Sequence, residues 1–105
     1  MYVDTAGNAE DFAAVKDILT GKIAICNRGS IAFTDKGNNA ISNGAIALIV
    51  ANNEAGTISM ATDGYNYTAP YVSMLQADGE YIKASSEKHT TDSGLVYYTG
   101  TMIVG

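Results

Sequence analysis

Tryptophan is absent from this chain of 105 residues, and cysteine, proline and histidine occur once each, as Cys26, Pro70 and His89. A single cysteine excludes an internal disulfide and any cysteine-based zinc site. Cys26 stands inside an apolar run with no neighbouring charge to stabilise a thiolate, so it reads as a small buried hydrophobe. Charge is also scarce, at 16% of residues, with a formal net charge of −5. The six basic residues (Lys16, Lys22, Arg28, Lys36, Lys83, Lys88) are scattered singly. No basic stripe exists to neutralise a phosphate backbone, so nucleic acid is not expected as a partner. No apolar run reaches the roughly 18 to 20 residues of a membrane span, so membrane insertion is not expected either. The opening MYVDTAGNAEDF lacks the basic region and apolar stretch of a signal peptide.

What is present is a core-forming composition. Hydrophobic residues make up 47% of the chain, which excludes a disordered tail. At this length one domain over residues 1–105 is expected, able to bury a single core but not a large enzyme cleft. Seven tyrosines and eleven glycines suit a strand-and-loop surface of extracellular type.

Residues 21–52 carry the architecture. They read as strand, turn, short helix, turn, strand, with both strands almost wholly apolar. Continuously apolar strands belong to a sheet covered on both faces, and a helix between two of them implies a right-handed parallel crossover. The first strand is expected over 22–26. Asn27, Arg28 and Gly29 then form a turn in which glycine supplies a positive φ. The helix is expected over 31–43 with Ser30 as N-cap. Phe33, Gly37, Ala40, Ile41 and Gly44 make one small-residue stripe that lets the helix lie close on the sheet. Asn43-Gly44 is a helix stop, and 45–51 is the second strand.

Around that unit, Asn8 or Thr5 would cap a helix over 9–18, with Phe12, Val15, Ile18 and Leu19 facing the core. Residues 52–69 form a long polar loop, with a short strand at 57–60 as one reading; a loop this long is usually functional or mobile. Pro70 introduces a third apolar strand over 71–75. A helix follows over 76–88 with Ala77, Tyr81 and Ile82 on one side. A polar turn at 90–93 then leads into a long closing strand over 95–104.

Several fragments imitate catalytic motifs. Gly56-Thr57-Ile58-Ser59-Met60-Ala61 differs by one inserted isoleucine from the nucleophile motif of subtilisin-like proteases, and Val3-Asp4-Thr5-Ala6-Gly7 loosely matches their aspartate motif. A triad would run Asp4, Ser59, His89, an order those enzymes do not use, and Ile58 would rotate the serine out of register. His89 has no partner at metal-ligand spacing and reads as a surface or helix-end residue. The pairs Glu10-Asp11 and Asp78-Glu80 read as helix-start or turn residues. No EF-hand or glycine-rich phosphate loop is present. Catalytic residues, metal ligands and cofactors are therefore all expected to be none. Recognition is the remaining reading. Met60, Tyr65, Tyr67 and Tyr71 cluster about the long loop, and aromatics with methionine are enriched at contact surfaces; the competing reading is that they cap an open sheet. Asn66-Tyr67-Thr68 is a formal glycosylation sequon.

The run GKIAICNRG, then Phe33 with Lys36, Asn39-Ala40, Gly44-Ala45 and Asn52-Asn53, resembles the protease-associated (PA) domain. So do Met60, Pro70-Tyr71-Val72-Ser73 and Asp78-Gly79, giving a match over residues 10–88 in order and spacing. Ile31 stands where many members carry a cysteine, and Tyr71 where isoleucine or valine is common. The resemblance implies an α+β fold. It would be a three-layer β/β/α domain with a partly parallel sheet or open barrel and two to three short helices on one side. It further implies a non-catalytic segment of a secreted or cell-envelope subtilisin-like serine protease. There the domain would modulate substrate access or protein binding, with a protein or peptide substrate and the parent catalytic domain as partners. The alternative is a stand-alone peptide- or protein-binding module.

Overall fold

The computed structural model describes residues 1–29, 31–54, 56, 65, 67 and 69–100. The expected strand at 57–60, the Ser30 cap, Met60 and the end of the closing strand lie outside these residues. The elements are β1 (Tyr2–Val3), α1 (Ala9–Ala14), α2 (Lys16–Leu19), β2 (Ile23–Asn27), α3 (Phe33–Ser42), β3 (Ala47–Ala51), β4 (Tyr71–Met74), α4 (Gln76–Ala84), β5 (Glu87–Thr90) and β6 (Val96–Thr99). Among the described residues six strands form one sheet in the order β4-β3-β2-β1-β6-β5. The four strands from β4 to β1 are parallel, while β6 is antiparallel to both β1 and β5. The expected mixed α+β class with a partly parallel sheet is what the chain has.

The apolar runs at β2 and β3 pair over five residues, Ile23 opposite Ala47 through Asn27 opposite Ala51. Alternation divides their side chains between two cores. Ala24, Cys26, Leu48 and Val50 join Val3, Phe12, Val15, Leu19 and Ala40 on the face covered by α1 to α3. Ile25 and Ala51 join Tyr2 on the other face, with Ile49, Met74, Ile82 and Tyr98 packed against them. The expected crossover is therefore present, and both its strands are covered on two sides.

Four helices are present among the described residues, and they cover both faces rather than one. Chain direction accounts for this. From β1 to β4 the strands advance steadily across the sheet, so right-handed crossovers put α1, α2 and α3 on one face. The β4-to-β5 connection returns to the opposite edge. β5 is two antiparallel steps from β1 and so parallel to β4, and the same handedness then places α4 on the second face.

Several boundaries differ from expectation for local reasons. The first helix breaks at Val15 (φ −118°, ψ 17°), which shifts the helical phase of the residues after it. Phe12, Val15 and Leu19 are buried as expected, but Ile18 turns outward. The last helix stops at Ala84, and Glu87–Thr90 is an edge strand rather than a helix end. Gly29 does not adopt a positive φ; a Cβ there would come within 2.8 Å of the Ala6 Cβ, so close approach explains it. Gly44 does take φ +100°, and ends α3 with its amide bonded to the Ile41 carbonyl at 3.0 Å.

Close helix-on-sheet packing falls to Gly79 of α4, not Gly37 of α3. A Cβ at 79 would meet the Ala51 Cβ at 2.9 Å and the Tyr2 hydroxyl at 3.3 Å, both on the second face. Gly79→Leu is therefore expected to push α4 off the sheet and cost about 3 kcal/mol by overpacking. Urea unfolding would measure it, and a loss below about 1 kcal/mol would show that α4 is not closely seated.

Candidate functional site

Tyr71 is the first residue of β4, opposite Leu48, and its ring packs against the core beneath α3. Tyr65 stacks on it with ring centroids 5.0 Å apart and planes tilted 30°. Tyr67 lies 6.1 Å beyond at a tilt of 58° and is 40% exposed. Gly37 makes room for this row, since a Cβ there would meet the Tyr65 ring at 2.9 and 3.0 Å and the Tyr71 ring at 3.4 Å. Within the small helical stripe, Gly37 thus serves aromatic rings, while Ala40 packs on the sheet. The Tyr65 hydroxyl donates to the Ala69 carbonyl at 2.7 Å, fixing the ring over the helix. The buried Tyr71 hydroxyl oxygen has no hydrogen-bond partner among the described residues. Burial, with Cys26 and Tyr65 adding to it, pushes that hydroxyl up to about 12. Three of the four expected contact residues are therefore brought together, and Met60 lies outside the described residues.

The imitated triad is not assembled among the described residues. Asp4 accepts from the Asn27 amide at 2.7 Å and pairs with Lys83 at 3.5 Å. His89 stacks on Tyr97, with centroids 4.9 Å apart, and its Nε2 is 3.0 Å from the Thr99 hydroxyl. Tyr97 separates His89 from Val3 in the sheet, so two strand spacings, roughly 10 Å, lie between His89 and β1. Among the described residues no three His, Cys, Asp or Glu side chains are placed to hold a metal ion.

Polar side chains that the sequence does not single out gather where the parallel strands end. Tyr2 donates to the Asn27 side chain, which donates in turn to Asp4. Lys83 lies 3.1 Å from Glu80 and 5.3 Å from the centre of the Tyr2 ring. Burial opposes the charge on Lys83, but Glu80 and Asp4 outweigh it and raise its pKa. Nearby, Arg28 bonds to Asn52 at 3.2 Å and Glu54 at 3.1 Å. Each of these charged groups has a partner of opposite sign among the described residues, with three carboxylates facing two cations, so the rim ties the strand ends together and keeps one net negative charge.

Lys36 enters the sequence reading only through the family resemblance, which does not reveal its role: it is fully buried and donates to the carbonyls of Ala6 and Asn27. A signal for it exists: with Phe33, Gly37 and Ala40 it falls at i, i+3, i+4 and i+7, on the core-facing stripe of α3.

The row presents stacked aromatic faces, which suit contact with another apolar surface. The chain is 43% identical over 88 residues to the minor extracellular protease Vpr of Bacillus subtilis strain 168, an alignment spanning 80% of this chain and 10% of Vpr. It is 29% identical over 107 residues to aminopeptidase YwaD of the same organism, spanning the whole chain and 23% of that enzyme. In structure it is similar to an aminopeptidase from Aneurinibacillus sp. strain AM-1 (TM-score 0.69, 32% identity, 81% of this chain and 20% of that one). It is also similar to the zinc aminopeptidase BSAP of Bacillus subtilis (TM-score 0.63, 30% identity, 76% of this chain and 20% of that one). The chain thus spans about a quarter or less of each relative. The PA domain family model matches residues 2–82, and the chain belongs to the PA domain family.

Proposed function

We propose that this chain is the non-catalytic PA domain of a larger secreted or cell-envelope protease, and that it steers protein substrates toward the catalytic domain through Tyr65, Tyr67 and Tyr71. The contiguous aromatic row carries the reading, because aromatic side chains supply contact area at low entropic cost and are favoured at interfaces. Similarity to proteases in which this segment is a minor part of the length supports an accessory role. Higher identity to the extracellular protease Vpr than to YwaD favours a subtilisin-like serine protease as parent, outside the cell.

The test uses the full-length protein that carries this chain. Tyr67→Ala is expected to lower kcat/KM for casein about 3- to 10-fold, through KM, while hydrolysis of a small chromogenic peptide is unchanged. Equal rates on casein would count against the proposal. Equal losses on both substrates would point to damage in the catalytic domain instead.

A further inference from the structure

The geometry points to a strand-addition site on the outer edge of β4, where an extended, uncharged segment of a protein substrate pairs with the backbone of Tyr71 and Ser73. The occupant, a protein substrate, rests on the function proposed above, but the site itself is built from backbone rather than from tyrosine contacts.

Among the described residues the sheet has two edges, β4 and β5. On the inner side of β4, the Leu48 amide donates to the Pro70 carbonyl at 2.9 Å and the Asn52 amide to the Met74 carbonyl at 3.0 Å. In a parallel ladder alternate residues turn both backbone groups to the same neighbour. Val72 and Met74 therefore serve β3, and Tyr71 and Ser73 direct their N–H and C=O groups outward. Among the described residues no strand pairs with that side.

The two edges are built differently. β5 is Glu87-Lys88-His89-Thr90, and charges of this kind discourage pairing with another chain. β4 is Tyr71-Val72-Ser73-Met74, with no charge and no proline within it. Its neighbours are also apolar on both faces. Tyr71 and Tyr65 lie on the helical face, while Val72 (49% exposed) lies on the other beside Met74. An incoming strand would set alternate side chains beside these two groups, the usual source of specificity in strand addition. No charged residue occurs from Pro70 to Gln76, and the chain carries a net charge of −5. Both facts favour an uncharged segment over an acidic one.

The test is amide hydrogen exchange by NMR on the full 105-residue chain, with an acetylated octapeptide of alternating threonine and valine as probe. Saturating probe is expected to slow exchange at Tyr71 and Ser73 at least tenfold and leave Glu87 to Thr90 unchanged. A control peptide with proline at alternate positions should have no effect, and requires no variant of the protein. Ser73→Pro removes an outward N–H without touching the β3 ladder, so it should abolish the slowing while far-UV circular dichroism stays the same. Protection of Tyr71 and Ser73 before probe is added would overturn the inference. So would slowing by the proline peptide, or slowing that tracks protein concentration alone, which would mean pairing with a second copy. Binding that survives Ser73→Pro but is lost in Tyr67→Ala would refute strand addition and leave the tyrosine surface standing.

Discussion

Replacing Lys36 by methionine is expected to destabilise the chain by about 3 to 5 kcal/mol, although the two side chains are close in volume. The ammonium lies in the core under α3 and donates to the carbonyls of Ala6 and Asn27, the latter at 3.0 Å. Those carbonyls belong to the segment after β1 and to the end of β2, so one side chain ties two crossovers to the helix between them. Methionine would fill the space and leave both acceptors without a donor, each costing about 1 to 3 kcal/mol. Burying the charge has its own cost, visible as a pKa held below the ordinary lysine value by desolvation. The hydrogen bonds must outweigh that penalty for the arrangement to persist, whereas methionine avoids the penalty but loses the bonds. Urea denaturation at neutral pH measures the balance, and a loss under about 1 kcal/mol would mean that the two effects cancel. Gly7 makes the site still tighter, since a Cβ there would meet the Cys26 sulfur at 3.0 Å and the Lys36 Cγ at 3.2 Å.

Lys36 also marks where sequence reading runs out. The crossover from β2 through α3 to β3 is legible because unbroken apolar runs have few other uses than a doubly covered sheet. The burial of this lysine on the apolar stripe is not legible because it needs specific acceptors, which are 9 and 30 residues away. The roles of Gly37 and Gly79 are likewise exchanged in effect. A stripe of small residues signals close approach but not the approaching partner, which for Gly37 is a tyrosine ring and for Gly79 the sheet itself. The helix expected to reach residue 88 ends early because Glu87-Lys88-His89-Thr90 gains cross-strand bonds to β6 that local propensity does not encode. Tyr65, Tyr67 and Tyr71 are legible as a group because they are close in sequence around Pro70. The Asp4–Asn27–Lys83 rim is not, because its members meet only after three separate strands and helices assemble.

Raising the pH is expected to unfold the chain through Cys26, the neighbour of Lys36. Burial pushes the Cys26 thiol from 9.0 up to about 12, against a smaller opposing pull from Lys36. In the unfolded chain the thiol ionises from about 9.0, while the folded chain keeps its proton. The stabilisation is therefore complete below 9.0 and is lost progressively as pH rises toward 12. The full difference amounts to about 4 kcal/mol, of which about 3 kcal/mol should be gone at pH ~11.5. Lys36 works in the other direction. Its lowered pKa means the unfolded chain holds the extra proton, so its contribution grows with pH and levels off above 10.5. Tyr71, raised from 10.0 to about 12, falls in the same sense as Cys26. Above 10.5 only the falling contributions of these three remain, and Cys26→Ala separates the thiol from the tyrosine. Urea midpoints measured from about pH 8 to 11.5 should drop steeply for the native sequence and about 3 kcal/mol less for Cys26→Ala. Parallel curves for the two proteins would mean that the thiol is not held in an environment hostile to its charge. In that case the packing of Cys26 between Gly7 and Lys36 would have to be looser than its burial indicates.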